Sequence, residues 1–121
     1  MSILTAEAEN CFLINDYHRI ASTTKVVEFQ SKVSGRAVYL RLGQGFPSHA
    51  DVVVHPEVEK EKLLSIPGVE ANPRVEFRHG DHMTKFPTKL NNGNEPIHYG
   101  HALQVISAFA LEKLCQTYHH L

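Results

Sequence analysis

The chain contains no tryptophan and only two cysteines, Cys11 and Cys115, in its 121 residues. These two stand far apart and form no CxxC pair, so the paired thiols of structural zinc sites are absent. A disulfide between them would require an exported protein. Because free cysteine is among the most buried residue types, we expect two reduced thiols in the core.

The chain also lacks long apolar runs and a large excess of either charge. No stretch approaches the roughly 20 apolar residues of a membrane span, and Glu7 and Glu9 follow the short apolar start too closely for an export signal. The 12 basic and 13 acidic side chains give a formal charge of −1, which excludes a strongly basic, phosphate-tracking surface. We therefore expect a cytoplasmic protein without a membrane partner, and we do not expect nucleic acid as a partner.

The apolar content is sufficient for one hydrophobic core. Leu, Ile, Val and Phe make up 34 of the 121 residues, which is above the roughly 20% below which disorder is expected. A chain of this length suits one domain. We expect residues 1–121 to form a single α+β domain.

Changes in hydrophobic period divide the chain into helices and strands. Thr5 is a suitable N-terminal cap for a first helix. The competing interpretation of this segment is a short strand at 12–14. Two alternating runs around the Ser34-Gly35 turn predict an antiparallel hairpin, and the Val52-Val53-Val54 triplet predicts a central strand. The predicted elements are helices 5–21, 56–66 and 101–119 and strands 25–32, 36–42, 51–55 and 74–79.

These elements predict a four-stranded, mostly antiparallel sheet with helices packed on one face, in the order α-β-β-β-α-β-α. Residues 80–100 have no period and are predicted to be an ordered loop. The helix at 101–119 is apolar on nearly every side, and so small a domain has few elements left to cover it. We therefore expect a homodimer through this C-terminal helix, with burial across the sheet of one copy as the alternative.

Over residues 5–79, this order resembles the core of the PD-(D/E)xK nucleases, in which an Asp and a D/E-x-K pair bind magnesium. The resemblance is one of topology. Glu28-Phe29-Gln30 is a Gln variant of the pair and stands on the first strand, and no Lys follows Asp51-Val52-Val53. The chain also resembles the short, function-unassigned proteins of the mobile gene cassette type, and this resemblance assigns no residue a role.

Nine histidines form clusters along the chain. His49, Asp51 and His55 lie at even offsets, so a strand would place them on one face as three metal ligands. No HExxH or similar motif accompanies them. We therefore favour solvated loop histidines, name no metal and expect no cofactor.

A second histidine group is suited to acid–base chemistry. His79, Asp81 and His82 follow the predicted strand 74–79, and a carboxylate beside a histidine fixes its tautomer and raises its basicity. Neighbours in sequence rarely face each other, so pairing across to His98 or His101 is the more natural arrangement. Arg78 could hold an anion beside this group.

Aromatic side chains in the loops point to a binding surface instead. Phe46, Phe86, Ile97 and Tyr99 could line a concave surface between the loops 43–50 and 80–100, as in many small binding modules. These side chains could also simply seal the edge of the core. We favour a non-enzymatic, dimeric binding protein that uses these loops, and the alternative is a His-rich, metal-dependent enzyme, a hydrolase.

Overall fold

The computed structural model describes residues 5–41, 50–80, 83–90 and 96–121, and the structural statements below concern those residues. The helices there are α1 (Thr5–Ile14), α2 (Lys60–Leu64) and α3 (Ala108–Tyr118). The strands are β1 (Tyr17–Ser22), β2 (Val26–Ser31), β3 (Ala37–Arg41), β4 (Ala50–Val54), β5 (Val69–Ala71), β6 (Phe77–His79), β7 (Thr88–Leu90) and β8 (Pro96–Val105).

All strand pairs are antiparallel, and β8 is the strand on which the sheet is assembled. The sheet runs β1-β2-β3-β4-β8-β5, and β6 and β7 also pair with β8. His101 pairs with Val54 of β4 and with Phe77 of β6, so these two strands lie on opposite edges of β8. His98 pairs with Thr88 of β7, while its carbonyl accepts from Gly80 on the other edge. One edge of β8 therefore bonds to β4 and β7, and the other edge bonds to β5 and β6.

The fold is α+β, but the predicted four-stranded sheet in the order α-β-β-β-α-β-α is wrong. Seven strands form the main antiparallel sheet, and β7 adds a short ladder with β8. The missed strands β5, β6 and β7 have three residues each, too few for an alternating pattern to emerge. The element order on which the nuclease resemblance rested is absent.

The predicted helix 101–119 is wrong in its first half. Residues up to Val105 belong to β8, and α3 begins at Ala108 after Ser107, whose side chain caps it by accepting from the Ala110 N–H at 3.1 Å. A strand buried on both faces has a continuous apolar sequence. Hydrophobic period alone does not distinguish such a strand from a buried helix.

Two other predicted segments also differ from the structure. The first helix ends at Ile14 instead of 21, because Asp16 adopts a left-handed backbone conformation (φ 67°) that turns the chain into β1. Residues 80–100 are not structureless, since β7 and the first half of β8 lie within them as a hairpin. Of the predicted loop 43–50, the structure describes only Ala50, which is the first residue of β4. Residues 43–49 lie outside the described residues.

The hairpin around Ser34-Gly35 is confirmed, since β2 and β3 pair antiparallel from Val26↔Arg41 to Gln30↔Ala37. Gly35 has a φ of 78° in its turn. The central position of the valine triplet is also confirmed, because β4 pairs with β3 on one edge and β8 on the other.

The sheet has two unlike faces. The face under the helices forms the main core, in which strand side chains such as Phe29, Leu40 and Leu103 pack with Leu111 and Leu114 of α3. The opposite face has a smaller cluster, in which Met83 and Phe86 cover part of β2, β3 and β4. The same face also carries charged side chains, among them Glu28, Arg41 and Asp51. Within the described ranges, no helix is both long and apolar enough to span a membrane.

Gly100 of β8 provides a direct test of this packing. A Cβ atom there would lie 2.5 Å from the Val54 carbonyl oxygen, 2.7 Å from Val53 Cγ1 and 2.8 Å from Phe86 Cε2. Because backbone cannot give way easily, Gly100→Ala should lower the free energy of unfolding by about 3 kcal/mol, as overpacking of a core does. Urea denaturation measures the loss.

Gly35→Ala is the matched control. An added Cβ there meets nothing within 4 Å, so only the strain of a positive φ remains, roughly 1 kcal/mol. If Gly100→Ala were as mild as Gly35→Ala, the close approach of β4 and β8 at this point would be refuted.

Candidate functional site

Charged side chains from three strands meet on the sheet face opposite the helices. Arg41 at the end of β3 stands directly opposite Asp51 on β4, and cross-strand neighbours on one face are within side-chain reach. Arg78 of β6 comes from the far edge of β8. On this face β8 presents the small residues Gly100 and Ala102, and the Arg78 guanidinium group reaches Asp51 from the far side of β8.

Both guanidinium groups share one carboxylate oxygen. Arg78 Nη2 lies 3.3 Å from Asp51 Oδ2, and Arg41 Nη1 lies 3.9 Å from the same atom. The side chains are between 23% and 34% exposed, so these charges are partly removed from water. One carboxylate therefore balances two cations, and the cluster retains a net positive charge.

Electrostatics around Arg78 reflect this excess. Burial lowers the pKa of Arg78, and the positive charges of Arg41 and Arg74 act in the same direction, with Asp51 opposing them. Arginine stays protonated in proteins even so. The repulsion between the guanidinium groups is therefore only partly relieved by Asp51, and a second anion would relieve it further.

A small cavity of about 80 Å³ opens beside the two arginines. We call it the arginine pocket. Lys25 adds a third cation to its wall, and Tyr39 and Met83 belong to its apolar side. The full lining is Lys25, Val26, Tyr39, Arg41, Val53, Arg78, His79 and Met83.

A buried carboxyl group adjoins the pocket across Tyr39. Glu28 stands opposite Tyr39 in the β2–β3 ladder and is only 7% exposed. The Tyr39 hydroxyl accepts from the Lys85 N–H at 3.4 Å and hydrogen-bonds the Glu28 carboxyl group. Glu28 Oε2 has no hydrogen-bond partner among the described residues. Burial raises the pKa of Glu28, with the Lys85 charge opposing this.

Two larger grooves lie elsewhere on the surface. One, of about 420 Å³, is lined by His55, Lys62 and His120 together with Arg36, Glu57 and Glu59. Its cations and carboxylates balance, and Arg36 is already engaged by the carbonyl of Leu121. The other lies between α1 and α3 and is largely apolar. Neither has the excess positive charge of the arginine pocket, and the charged side chains that line the second groove are the acidic Glu7 and Glu112.

The predicted metal ligands are separated from one another. Asp51 is held by the two arginines, whereas His55 packs edge-on against Phe86 at a ring distance of 5.3 Å and lines the first groove. Four residues of extended chain separate the two, roughly 13 Å. His49 lies outside the described residues. In the part of the chain that the structure describes, no three His, Cys, Asp or Glu side chains are grouped as metal ligands.

The acid–base candidates divide between the two faces of β8. His101 stacks on Phe77 at 5.3 Å, is 8% exposed and has its pKa lowered, first by burial and then by Lys60. His98 belongs to the opposite face by strand alternation, and its Nδ1 lies 2.6 Å from the Phe86 carbonyl oxygen. His79 stacks on Tyr99 and lines the arginine pocket. Asp81 and His82 lie outside the described residues.

The aromatic binding candidates also do not share one surface. Phe86 is buried at 3% exposure and packs edge-on against Tyr39 on the face opposite the helices. Tyr99 packs against Phe77 on the helix face. Ile97 lies two residues before Tyr99 in β8, so strand alternation places it on the same face. Phe46 lies outside the described residues.

Sequence reasoning named one pocket residue, Arg78, as a possible anion ligand, and this role stays a prediction. It missed Lys25, Arg41 and Glu28. The β3–β4 pairing would have revealed Arg41, because it places Arg41 opposite Asp51. No local signal distinguishes the buried Glu28 from an exposed glutamate on an alternating strand.

The chain matches no protein-family model and no curated protein.

The buried Glu28 predicts an unusual dependence of stability on pH. Since its folded-state pKa lies above the ordinary value of 4.5, the unfolded chain ionises first as the pH rises. Stability is then fully present below pH 4.5 and is lost as the pH rises through the folded-state pKa. Glu28→Gln should be more stable than wild type at pH 7 by about 1 kcal/mol, the cost of an unsatisfied buried acceptor, and the gain should vanish below pH 4.5.

Denaturant titrations at several pH values measure this difference. Glu70→Gln on β5, where the side chain is exposed, is the control and should change stability by less than about 0.5 kcal/mol. A Glu28→Gln variant that is less stable than wild type at pH 7 would show that the charged carboxylate is well satisfied.

Proposed function

We propose that the protein is a non-enzymatic binding protein whose arginine pocket holds a small oxyanion, either free or as the phosphate or carboxylate group of a small molecule. One observation carries this proposal: two guanidinium groups share a single oxygen of Asp51 beside a cavity. Arginine pairs are suited to oxyanions because their planar donors match phosphate and carboxylate geometry.

The size of the pocket supports a small ligand group. A volume of about 80 Å³ is several times the roughly 10–15 Å³ that one water needs, yet well below the roughly 300 Å³ at which drug-sized ligand sites begin. A charged head group fits these limits. The remainder of a larger ligand would lie outside the cavity.

The position of the pocket along the chain supports the use of the two predicted loops. Arg41 precedes residues 43–50 and Asp51 follows them, while Arg78 precedes residues 80–100 and Met83 lies within them. Both segments therefore begin or end within two positions of a residue of the site. We also propose that the protein acts in the cytoplasm, the compartment that the sequence predicts.

The alternative, a metal-dependent hydrolase, has less support. The described residues hold no group of three metal ligands, and Asp51, one of the candidates, already pairs with two arginines. Of the acid–base candidates that the structure describes, His79 is the one that lines the pocket, and its ring stacks on Tyr99. Binding is the simpler chemistry for this arrangement.

Titration with inorganic phosphate tests the binding proposal. Arg41→Gln and Arg78→Gln should each weaken phosphate binding about 10- to 100-fold, because a hydrogen bond to a charged group contributes roughly 1.5–3 kcal/mol. Asp51→Asn should tighten binding, since it removes the carboxylate that competes with the ligand. Chemical shift changes of the backbone amides during titration, or calorimetry, give the dissociation constants.

Arg19→Gln is the matched control. Arg19 lies on β1, pairs with Glu9 and is 51% exposed, so its loss should leave phosphate affinity unchanged. If Arg19→Gln and Arg78→Gln weakened phosphate binding equally, the effect would be one of overall charge and the proposed site would be refuted. Tighter phosphate binding by Arg78→Gln would also contradict the proposal.

We also propose a homodimer, on a different basis from the predicted all-apolar helix. The apolar side chains up to Val105 are buried in the sheet of one copy. An exposed patch on α1 and α3 remains, with Ile14 at 70% and Phe109 at 67% exposure. A two-fold contact requires a self-complementary surface, and the patch carries both Lys113, 5.4 Å from the Phe109 ring, and the acidic Glu112.

Light scattering at micromolar concentration tests this dimer. Phe109→Ser should produce a monomer while changing the free energy of unfolding of the subunit by less than about 0.5 kcal/mol, because the side chain is exposed. Val33→Ser, at a 58% exposed position in the β2–β3 turn, should remain dimeric. A wild-type monomer would refute the proposal.

A further inference from the structure

Glu28 has a carboxyl oxygen that the described residues leave unsatisfied. The side chain is only 7% exposed, and Oε2 has no hydrogen-bond partner among those residues. The charge of Lys85 acts on Glu28, but Lys85 does not bond to Oε2. Because a buried acceptor without a partner costs free energy, a hydrogen-bond donor brought to Glu28 would be bound favourably.

A small cavity adjoins Glu28 on the same face of the sheet as the arginine pocket. Its volume is about 30 Å³, which exceeds the roughly 10–15 Å³ that one water needs and suits an ammonium group of similar size. We call it the Glu28 cavity, and its lining is Ala21, Ser22, Thr23, Val26, Glu28 and Tyr39. Since Glu28 is the charged residue in this lining, the cavity favours a cationic group.

Val26 and Tyr39 line both cavities and form an apolar bridge between them. The Glu28 cavity lies over β2, between β1 and β3, whereas the arginine pocket lies over β3 and β4 and reaches Arg78 of β6. Neighbouring strands are about 4.8 Å apart. The two cavities are therefore separated by one to two strand spacings, roughly 5–10 Å.

The two cavities suit groups of opposite charge. Arg41, Arg78 and Asp51 together carry one net positive charge, which a carboxylate balances, whereas Glu28 suits an ammonium group. We propose that the ligand is an ω-amino carboxylate that occupies both cavities, with its carboxylate at the two arginines and its ammonium at Glu28. Its carbon chain lies across the apolar bridge. This inference rests on the oxyanion site proposed above and names the ligand class of that site.

The separation of the cavities sets the length of the carbon chain. An extended chain gains about 1.2 Å per bond, since three backbone bonds span roughly 3.3–3.6 Å. A separation of roughly 5–10 Å therefore corresponds to about four to eight bonds between the amine nitrogen and the carboxylate carbon. Glycine, with two such bonds, is too short, whereas 5-aminopentanoate, with five, is long enough.

Calorimetric titration of the full-length protein with matched pairs of acids tests this ligand class. 5-Aminopentanoate and pentanoate differ by the amine at the end of one chain length, and glycine and acetate differ in the same way at a shorter length. 5-Aminopentanoate should bind about 10- to 100-fold more tightly than pentanoate, because its ammonium gains a charged hydrogen bond. Glycine should bind no more tightly than acetate, because its amine does not reach Glu28.

Glu28→Gln tests the role of the carboxylate. It should make the affinities for 5-aminopentanoate and pentanoate equal, because the side chain keeps its size and loses its charge. This variant is expected to be more stable than wild type at pH 7, so unfolding would not explain the change. Glu70→Gln on β5, where the side chain is exposed, is the matched control and should retain the full preference for 5-aminopentanoate.

The possible failures are distinguishable. If phosphate and pentanoate bind but 5-aminopentanoate binds no more tightly than pentanoate, the ligand class is refuted and the oxyanion site stands. If neither phosphate nor pentanoate binds, the oxyanion site is refuted and this inference falls with it. A preference for 5-aminopentanoate that survives Glu28→Gln would overturn the assignment of the ammonium to Glu28.

Discussion

The ten-residue strand β8 is the constraint on which the rest of the structure depends. Both of its edges are occupied, by β4 and β7 on one side and by β5 and β6 on the other. A backbone group in a sheet interior must find a partner there or remain unsatisfied, so four separate segments of the chain converge on one strand. Gly100 allows β4 and Phe86 to approach closely, and it pairs with Arg78 of β6. The candidate site therefore exists only because β8 is a strand.

Sequence reasoning succeeded where the pattern is local. The β2–β3 hairpin has alternating runs on both sides of a turn with a positive-φ glycine, and each of these signals lies within a few residues. It failed at β8 because the strand is covered on both faces, which removes the alternation that identifies an exposed strand. A start signal for α3 was nevertheless present, since Ser107 caps the helix. Giving that cap more weight than the apolar run would have placed the boundary correctly.

The candidate site depends on contacts that no local pattern encodes. Arg78 was recognised as a possible anion ligand from its own chemistry, but its partners on β3 and β4 are 27 residues or more away in sequence. Spacing along the chain favoured histidine clusters instead. The fold separates those histidines, because alternation along β8 sends His98 and His101 to opposite faces.

The two faces of the sheet are used in different ways, and the difference is an argument about function. The helix face buries apolar side chains and needs no charge to hold it together. On the other face, one aspartate is shared by two arginines and the nearby Glu28 has an oxygen without a partner among the described residues. Partly buried ion pairs contribute little to stability, because desolvation offsets their attraction. The proposed oxyanion site therefore gives these charges a role in binding that goes beyond their small contribution to stability.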